Sequence, residues 1–157
     1  MLDSIIARPG DHARLLNTLA LLEHTGSYRI MVSQHGKHCT QPTLRHLAEE
    51  AQHAFFMKRQ AEKTADRELD FVDSDLLAGS TARSYFRRLE ALIHGQLLRE
   101  DSAQSTYLYM SMIIEFRALW FYGHYQDALK SAGNAISLKR IIGEEASHLT
   151  DMTERLE

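Results

Sequence analysis

Two Glu-x-x-His pairs are the residues of this sequence whose spacing points most directly to chemistry. Glu50 and His53 form the first pair, and Glu145 and His148 form the second. On an α-helix, residues three positions apart lie on one face, about one turn from each other. If both pairs lie on helices, each can offer a carboxylate oxygen and an imidazole nitrogen to one metal ion.

Two further glutamates strengthen this interpretation. With twelve glutamates and nine histidines in 157 residues, Glu-x-x-His pairs also arise by chance, so the pairs alone are not decisive. Glu23 follows Leu-Ala-Leu-Leu, however, and Glu115 follows Met-Ser-Met-Ile-Ile. A carboxylate inside an apolar helix face is costly to bury unless it is paired or binds a metal ion. We therefore expect Glu23 and Glu115 to be ligands as well.

The elements that position these residues are predicted to be helices. Apolar residues recur at helical spacing, and the sequence contains only two prolines. Asp11 and Asn134 are predicted N-caps, Gly36 is a predicted C-terminal stop, and Asp101-Ser102 is a predicted break and N-cap. Residues 66–80 are predicted to be a connection with at most a short helical turn. The pattern predicts five helices, over about residues 11–34, 40–65, 81–99, 103–130 and 134–154.

Counting along the chain places the glutamates of each helical hairpin at one depth. In an antiparallel hairpin, residues at equal depth are equally distant from the turn. The midpoint of Glu23 and Glu50 falls between Gly36 and Lys37, on a predicted turn. The midpoint of Glu115 and Glu145 is Lys130, beside a predicted turn at 131–133.

The donor set also limits the metal. Four carboxylates with two neutral histidines carry a charge of −4, which two divalent ions balance. Oxygen and nitrogen donors without sulfur suit iron or manganese better than structural zinc. The single cysteine, Cys39, excludes an internal disulfide and a Cys-x-x-Cys centre, and is expected to be an incidental thiol.

The order of these ligand types resembles the ferritin-like superfamily, which includes bacterioferritins, rubrerythrins and bacterial di-iron oxygenases. The resemblance implies one ferritin-like domain over residues 1–157, a four-helix bundle that binds two iron ions, with manganese or mixed Mn/Fe as alternatives. It implies single-helix ligands at Glu23 and Glu115 and bridging carboxylates at Glu50 and Glu145. The sequence departs from the pattern of this superfamily in two ways. It has an additional predicted helix, 81–99, in the long crossover, and it lacks a rubredoxin-type cysteine pair.

Several other side chains have a simpler interpretation. Glu49 and Glu144 precede the proposed ligands and are expected to be solvated. Glu23 and Glu115 could instead pair with Arg29 and Arg117. His46 lies one turn before Glu50, where it could support the site, line an access route or be an exposed helix histidine. His24 is expected to point away from the site. The histidines without ligand spacing are expected at the surface or in local bonds: His12, His35, His38, His94 and His124.

Packing roles are predicted for most aromatic residues. Tyr85, Phe86 and Leu92 are predicted on the buried side of the third helix. The side chains for which core packing is favoured over a redox role are Met112, Tyr122, Tyr107, Tyr109 and Trp120.

The net charge of −3 argues against a nucleic-acid-binding protein. The longest apolar stretch contains Glu115 and Arg117 and is too short to span a bilayer, and the first residues do not resemble a signal peptide. We therefore expect a cytoplasmic protein that binds neither nucleic acid nor membrane.

Three functions remain open from the sequence. The first is a di-iron oxidoreductase that uses O2 or peroxide, forms a homodimer, and acts with an unidentified small-molecule substrate and electron donor. An oxygenase and a peroxide-scavenging, rubrerythrin-like protein are both versions of it. The second is iron oxidation and storage in a ferritin-type cage, and the third is a helical interaction module without metal.

Overall fold

The computed structural model describes residues 1–33, 39–96 and 103–154. These residues form six α-helices and no β-strand, which confirms the all-helical prediction. A short 3-10 turn, Asp73–Asp75, lies in the predicted connection. The helices are α1 (Leu2–Ile6), α2 (Pro9–Ser33), α3 (Gln41–Ala65), α4 (Gly79–Gln96), α5 (Ala103–Ser131) and α6 (Lys139–Glu154).

The chain folds into two compact units. Unit 1 comprises Met1–Arg83, and unit 2 comprises Ser84–Glu157, so the boundary lies inside α4. No helix in the described part of the chain is long and apolar enough to cross a membrane. The predicted stop at Gly36 and the predicted N-cap at Asp101-Ser102 lie outside the described residues.

Unit 1 is built around the antiparallel pair α2 and α3. The Lys58 ammonium group donates to Asn17 Oδ1 at 3.1 Å, whereas a Cβ at Gly26 would lie 3.4 Å from Glu50 Oε2. Because the residue number falls along α3 as it rises along α2, the two helices run in opposite directions. Thr40 caps α3 by accepting a hydrogen bond from the Thr43 N–H at 3.3 Å.

The connection after α3 is attached to α2 by buried polar side chains. The Asn17 amide, which is fully buried, donates to the carbonyl oxygens of Asp70 at 2.8 Å and Asp75 at 3.0 Å. The Thr18 hydroxyl accepts a hydrogen bond from the Leu77 N–H at 2.8 Å. The Lys58 ammonium group also donates to the Leu69 carbonyl oxygen. These bonds satisfy backbone groups in a segment without regular structure and so hold it against α2 and α3.

Unit 2 contains the antiparallel pair α5 and α6. The Leu138 N–H, one residue before α6, donates to Gln126 Oε1 on α5 at 2.5 Å. α5 ends at Ser131, and Gly133 has a positive φ of 64°, as expected for the predicted stop. The predicted cap at Asn134 is wrong, because its side chain accepts a hydrogen bond from the Ile136 N–H and α6 begins only at Lys139.

Some packing predictions for unit 2 are also wrong. Phe86 is buried as predicted, but Leu92 is 67% exposed. Tyr109 and Trp120 are exposed too, together with Ile113 and Phe116. These four residues of α5 recur every three or four positions and therefore lie on one helix face. The spacing of apolar residues thus predicted α5 correctly, but it did not predict which face of the helix is buried.

Candidate metal-binding clusters

Unit 1 brings three of the predicted ligands together. Glu23 lies on α2, and Glu50 and His53 lie one turn apart on α3. All three side chains are buried, with at most 7% of any of them exposed. One ligand atom from each lies within 4.8 Å of the others. The antiparallel pairing of α2 and α3 therefore produces a compact group of two carboxylates and one imidazole.

A second histidine belongs to this group. His46 is buried, and its Nε2 lies 3.6 Å from Glu50 Oε1. His53 Nδ1 lies 3.6 Å from the same oxygen atom. We call Glu23, His46, Glu50 and His53 the unit 1 cluster. Gly26, one turn after Glu23, leaves the face of α2 beside the Glu50 carboxylate open, because it has no side chain.

Unit 2 brings together the other three predicted ligands. Glu115 lies on α5, and Glu145 and His148 lie on α6. His148 Nδ1 lies 3.4 Å from Glu145 Oε2 and 3.7 Å from Glu115 Oε2. All three side chains are buried, and Glu145 is completely so. We call Glu115, Glu145 and His148 the unit 2 cluster.

The nitrogen–oxygen distances within each cluster are those expected of atoms that bind the same metal ion. Hydrogen bonds between nitrogen and oxygen usually measure about 2.7–3.2 Å. The four nitrogen–oxygen pairs described above measure 3.4–3.7 Å, and they are ion pairs without a hydrogen bond between the two atoms. Two atoms that are each about 2.1 Å from one ion, at angles of 90–120°, lie about 3.0–3.6 Å apart. The residues present therefore fit a metal ion.

The charge of each cluster supports the same conclusion. Each cluster contains two buried glutamates, and in unit 1 the carboxylates of Glu23 and Glu50 have oxygen atoms within 4.8 Å of each other, where their ionised forms repel. With neutral histidines, each cluster carries −2, and one divalent ion would balance it. The imidazoles add donors without adding negative charge. The described chain thus contains buried glutamate–histidine clusters that could hold a metal ion.

The neighbouring acidic residues are not part of these clusters. Glu49 lies 3.9 Å from Arg45, and Glu144 accepts a hydrogen bond from the Arg140 guanidinium at 2.8 Å. Both are half-buried and ion-paired one turn along their own helices. They point away from the ligands as predicted, although they are not fully solvated. Arg117 lies over the Tyr85 ring, 4.0 Å from its centroid.

His46 is a candidate ligand that the predicted ligand set does not include. Its position four residues before Glu50 is a usable signal, because residues four apart share one helix face. His12 is also buried, so a surface position for it is wrong; burial lowers its pKa and keeps its imidazole neutral at pH 7. His24, which was predicted to point away from the site, is exposed and stacks on Phe71.

Two tyrosines that follow Glu115 along α5 are buried. Tyr122 is buried as predicted, and so is Tyr125, which lies one turn later. Burial raises the pKa of the Tyr125 hydroxyl, so that this group stays protonated in the physiological range.

No protein family, curated protein or solved structure compared with the chain matches it.

Proposed function

We propose that the two clusters together bind two iron ions, with Glu23, Glu50, His53, Glu115, Glu145 and His148 as ligands. In this proposal α2, α3, α5 and α6 form a ferritin-like four-helix bundle, and α4 is the additional helix of the crossover. The observation that carries the proposal is that each unit supplies two buried carboxylates and a Glu-x-x-His imidazole. Manganese, or one ion of each metal, would suit the same donors.

The charge of the six proposed ligands matches two divalent ions better than one. Either cluster alone supplies −2, which matches one divalent ion, and the six residues together supply −4. Six protein side chains shared between two ions leave coordination positions open for a small oxidant. Glu50 and Glu145 are proposed as the bridges, as the resemblance to the ferritin-like superfamily implies, and each lies one turn from its own cluster's histidine.

We further propose that the protein is an oxidoreductase that uses O2 or peroxide. Two ferrous ions, when bound, supply two electrons together, which reduce one H2O2 and two protons to two water molecules, or one O2 and two protons to H2O2. The four carboxylates favour this oxidation, because their negative charge stabilises the additional positive charge of the ferric pair. Their burial strengthens that interaction and limits access of bulk water.

Anaerobic titration with oxidant tests this function. Protein loaded with two Fe(II) per chain is mixed with limiting H2O2 or O2, and oxidised iron is measured by absorbance and Mössbauer spectroscopy. The expected result is two Fe(II) oxidised per H2O2, faster than for the same iron in buffer. E50Q should abolish this rapid oxidation, whereas E49Q, which changes the adjacent ion-paired carboxylate, should keep it.

Three results would contradict the proposal or redirect it. Protein that binds no iron, manganese or zinc when purified without chelator would favour an interaction module. Equal oxidation rates in E50Q and the native protein would place the iron elsewhere. A large oligomer that takes up far more than two iron ions per chain would assign iron storage, whereas a homodimer that retains two would favour an oxidoreductase.

A further inference from the structure

His46 occupies an unusual place on α3. It lies four residues before Glu50, and His53 lies three residues after it, so that all three side chains share one buried face. At 1.5 Å per residue, His46 is about 6 Å before Glu50 along the helix axis, and His53 is about 4.5 Å after it. The Glu50 carboxylate is thus flanked by an imidazole on each side.

Both imidazoles approach the same carboxylate oxygen to the same distance. His46 Nε2 and His53 Nδ1 each lie 3.6 Å from Glu50 Oε1. Within unit 1, Glu50 belongs to two potential ligand groups, one with Glu23 and His53 and the other with His46. A carboxylate that belongs to two groups is placed to bridge two ions, each with its own histidine.

We infer that His46 is a seventh metal ligand, whose Nε2 binds the ion on the opposite side of Glu50 from the ion bound by His53. This inference rests on the proposed di-iron function. It makes the two ions unequal, since one would be bound by two histidines and the other by one. The ion with one imidazole keeps more open positions and is therefore the expected site for the oxidant.

A supporting role for His46 explains the geometry less well. A histidine that only orients Glu50 would donate a hydrogen bond to it, at about 2.7–3.2 Å. The observed 3.6 Å is longer, and it equals the separation found for His53, which belongs to a Glu-x-x-His pair. His46 is also only 8% exposed, so it is not positioned as a solvated helix histidine.

Paramagnetic NMR counts the metal-bound histidines directly. In protein loaded with two Co(II) per chain, each bound imidazole contributes one strongly shifted, solvent-exchangeable N–H proton. The native protein is expected to show three such signals, from His46, His53 and His148. H46Q should retain two Co(II) ions and show two signals, with one ion bound about tenfold or more weakly. H12Q removes a different buried histidine of unit 1 and should keep three.

The native count decides the inference even if H46Q folds poorly. Two signals in native protein that holds two Co(II) ions would overturn the role of His46 and leave the di-metal proposal intact. Three signals in H46Q would also overturn it. Native protein that binds no Co(II) and shows no shifted signal would instead overturn the proposed function itself. In H46A, added imidazole is expected to restore the third signal, and failure to do so would count against a coordination position at this site.

Discussion

The His148 imidazole on α6 lies 3.7 Å from the Glu115 carboxylate on α5. The two residues are far apart in sequence, and the antiparallel pairing of their helices brings them to one level of unit 2. The hydrogen bond from the Leu138 N–H to Gln126 Oε1 lies between this contact and the turn, and it helps to hold the same register. Ligand geometry in unit 2 therefore depends on where α6 begins.

The buried glutamates of the unit 2 cluster should promote metal binding, and they should lower the stability of the metal-free protein. E145Q removes a fully buried carboxylate, so we expect the metal-free variant to be about 1–3 kcal/mol more stable than the native protein. The increase in melting temperature on adding Fe(II) or Mn(II) should disappear. E144Q is the matched control, since Glu144 pairs with Arg140 outside the cluster; its stability should change by about 0.5 kcal/mol or less. Lower stability of metal-free E145Q would contradict this prediction.

The Asn17 side chain should contribute strongly to the stability of unit 1. N17A removes hydrogen bonds to two backbone carbonyl oxygens and to Lys58. Because these groups would remain in a buried region without their partner, we expect a loss of about 2–4 kcal/mol in urea unfolding. N134A, which removes one local hydrogen bond in the segment before α6, should cost about 1 kcal/mol or less. Equal losses in the two variants would show that the Asn17 network adds little.

Asp75 should make unit 1 sensitive to acid. The Arg67 guanidinium and the Asp70 N–H hydrogen-bond to its carboxylate and lower its pKa from 3.8 to about 2. A depressed pKa in the folded state means that ionised Asp75 stabilises the fold above about pH 4, and that this contribution is lost as the pH falls toward 2. D75N should therefore be less stable than the native protein at pH 7, by a difference that shrinks between pH 4 and pH 2. A difference that is constant with pH, in urea unfolding of both proteins, would exclude this mechanism.

Gly26 should matter more for metal binding than for folding. Replacing a helical glycine by alanine stabilises a helix by about 0.5–1 kcal/mol where the methyl group has room. G123A adds a methyl group in open space, whereas the methyl group of G26A lies 3.4 Å from Glu50 Oε2. Both variants should gain metal-free stability, but only G26A should bind Mn(II) more weakly in calorimetric titration. Equal Mn(II) affinity in both variants would show that Glu50 does not need this space.

Local sequence signals located some helix ends and misplaced others. Asp11 was predicted as an N-cap, but it lies in the first turn of α2, which begins at Pro9. Thr40 and Pro42 mark the start of α3 in the sequence, and the structure begins that helix at Gln41 with Thr40 as its cap. Asn134 misled the prediction for α6, because its side chain can bond to a nearby N–H in a turn as readily as it can cap a helix. α6 therefore starts later than predicted, at Lys139.

The burial of particular side chains was less predictable, because it depends on tertiary packing. Glu23, Glu50 and His53 were identified from residue type and spacing, which reflect helix geometry alone. Residue type and spacing could not decide whether His46 is buried, because a histidine is compatible with either the exposed or the buried face of α3. Trp120 shows the converse, since its apolar character predicted burial and it is 60% exposed.

Anomalous diffraction at the iron edge, from crystals grown with Fe(II) under anaerobic conditions, tests whether the two clusters bind two iron ions. Two peaks about 3.5–4 Å apart are expected, with ligand density from both the unit 1 cluster and the unit 2 cluster. A single peak bound by one cluster alone, or iron bound to other residues while both clusters remain empty, would contradict this expectation.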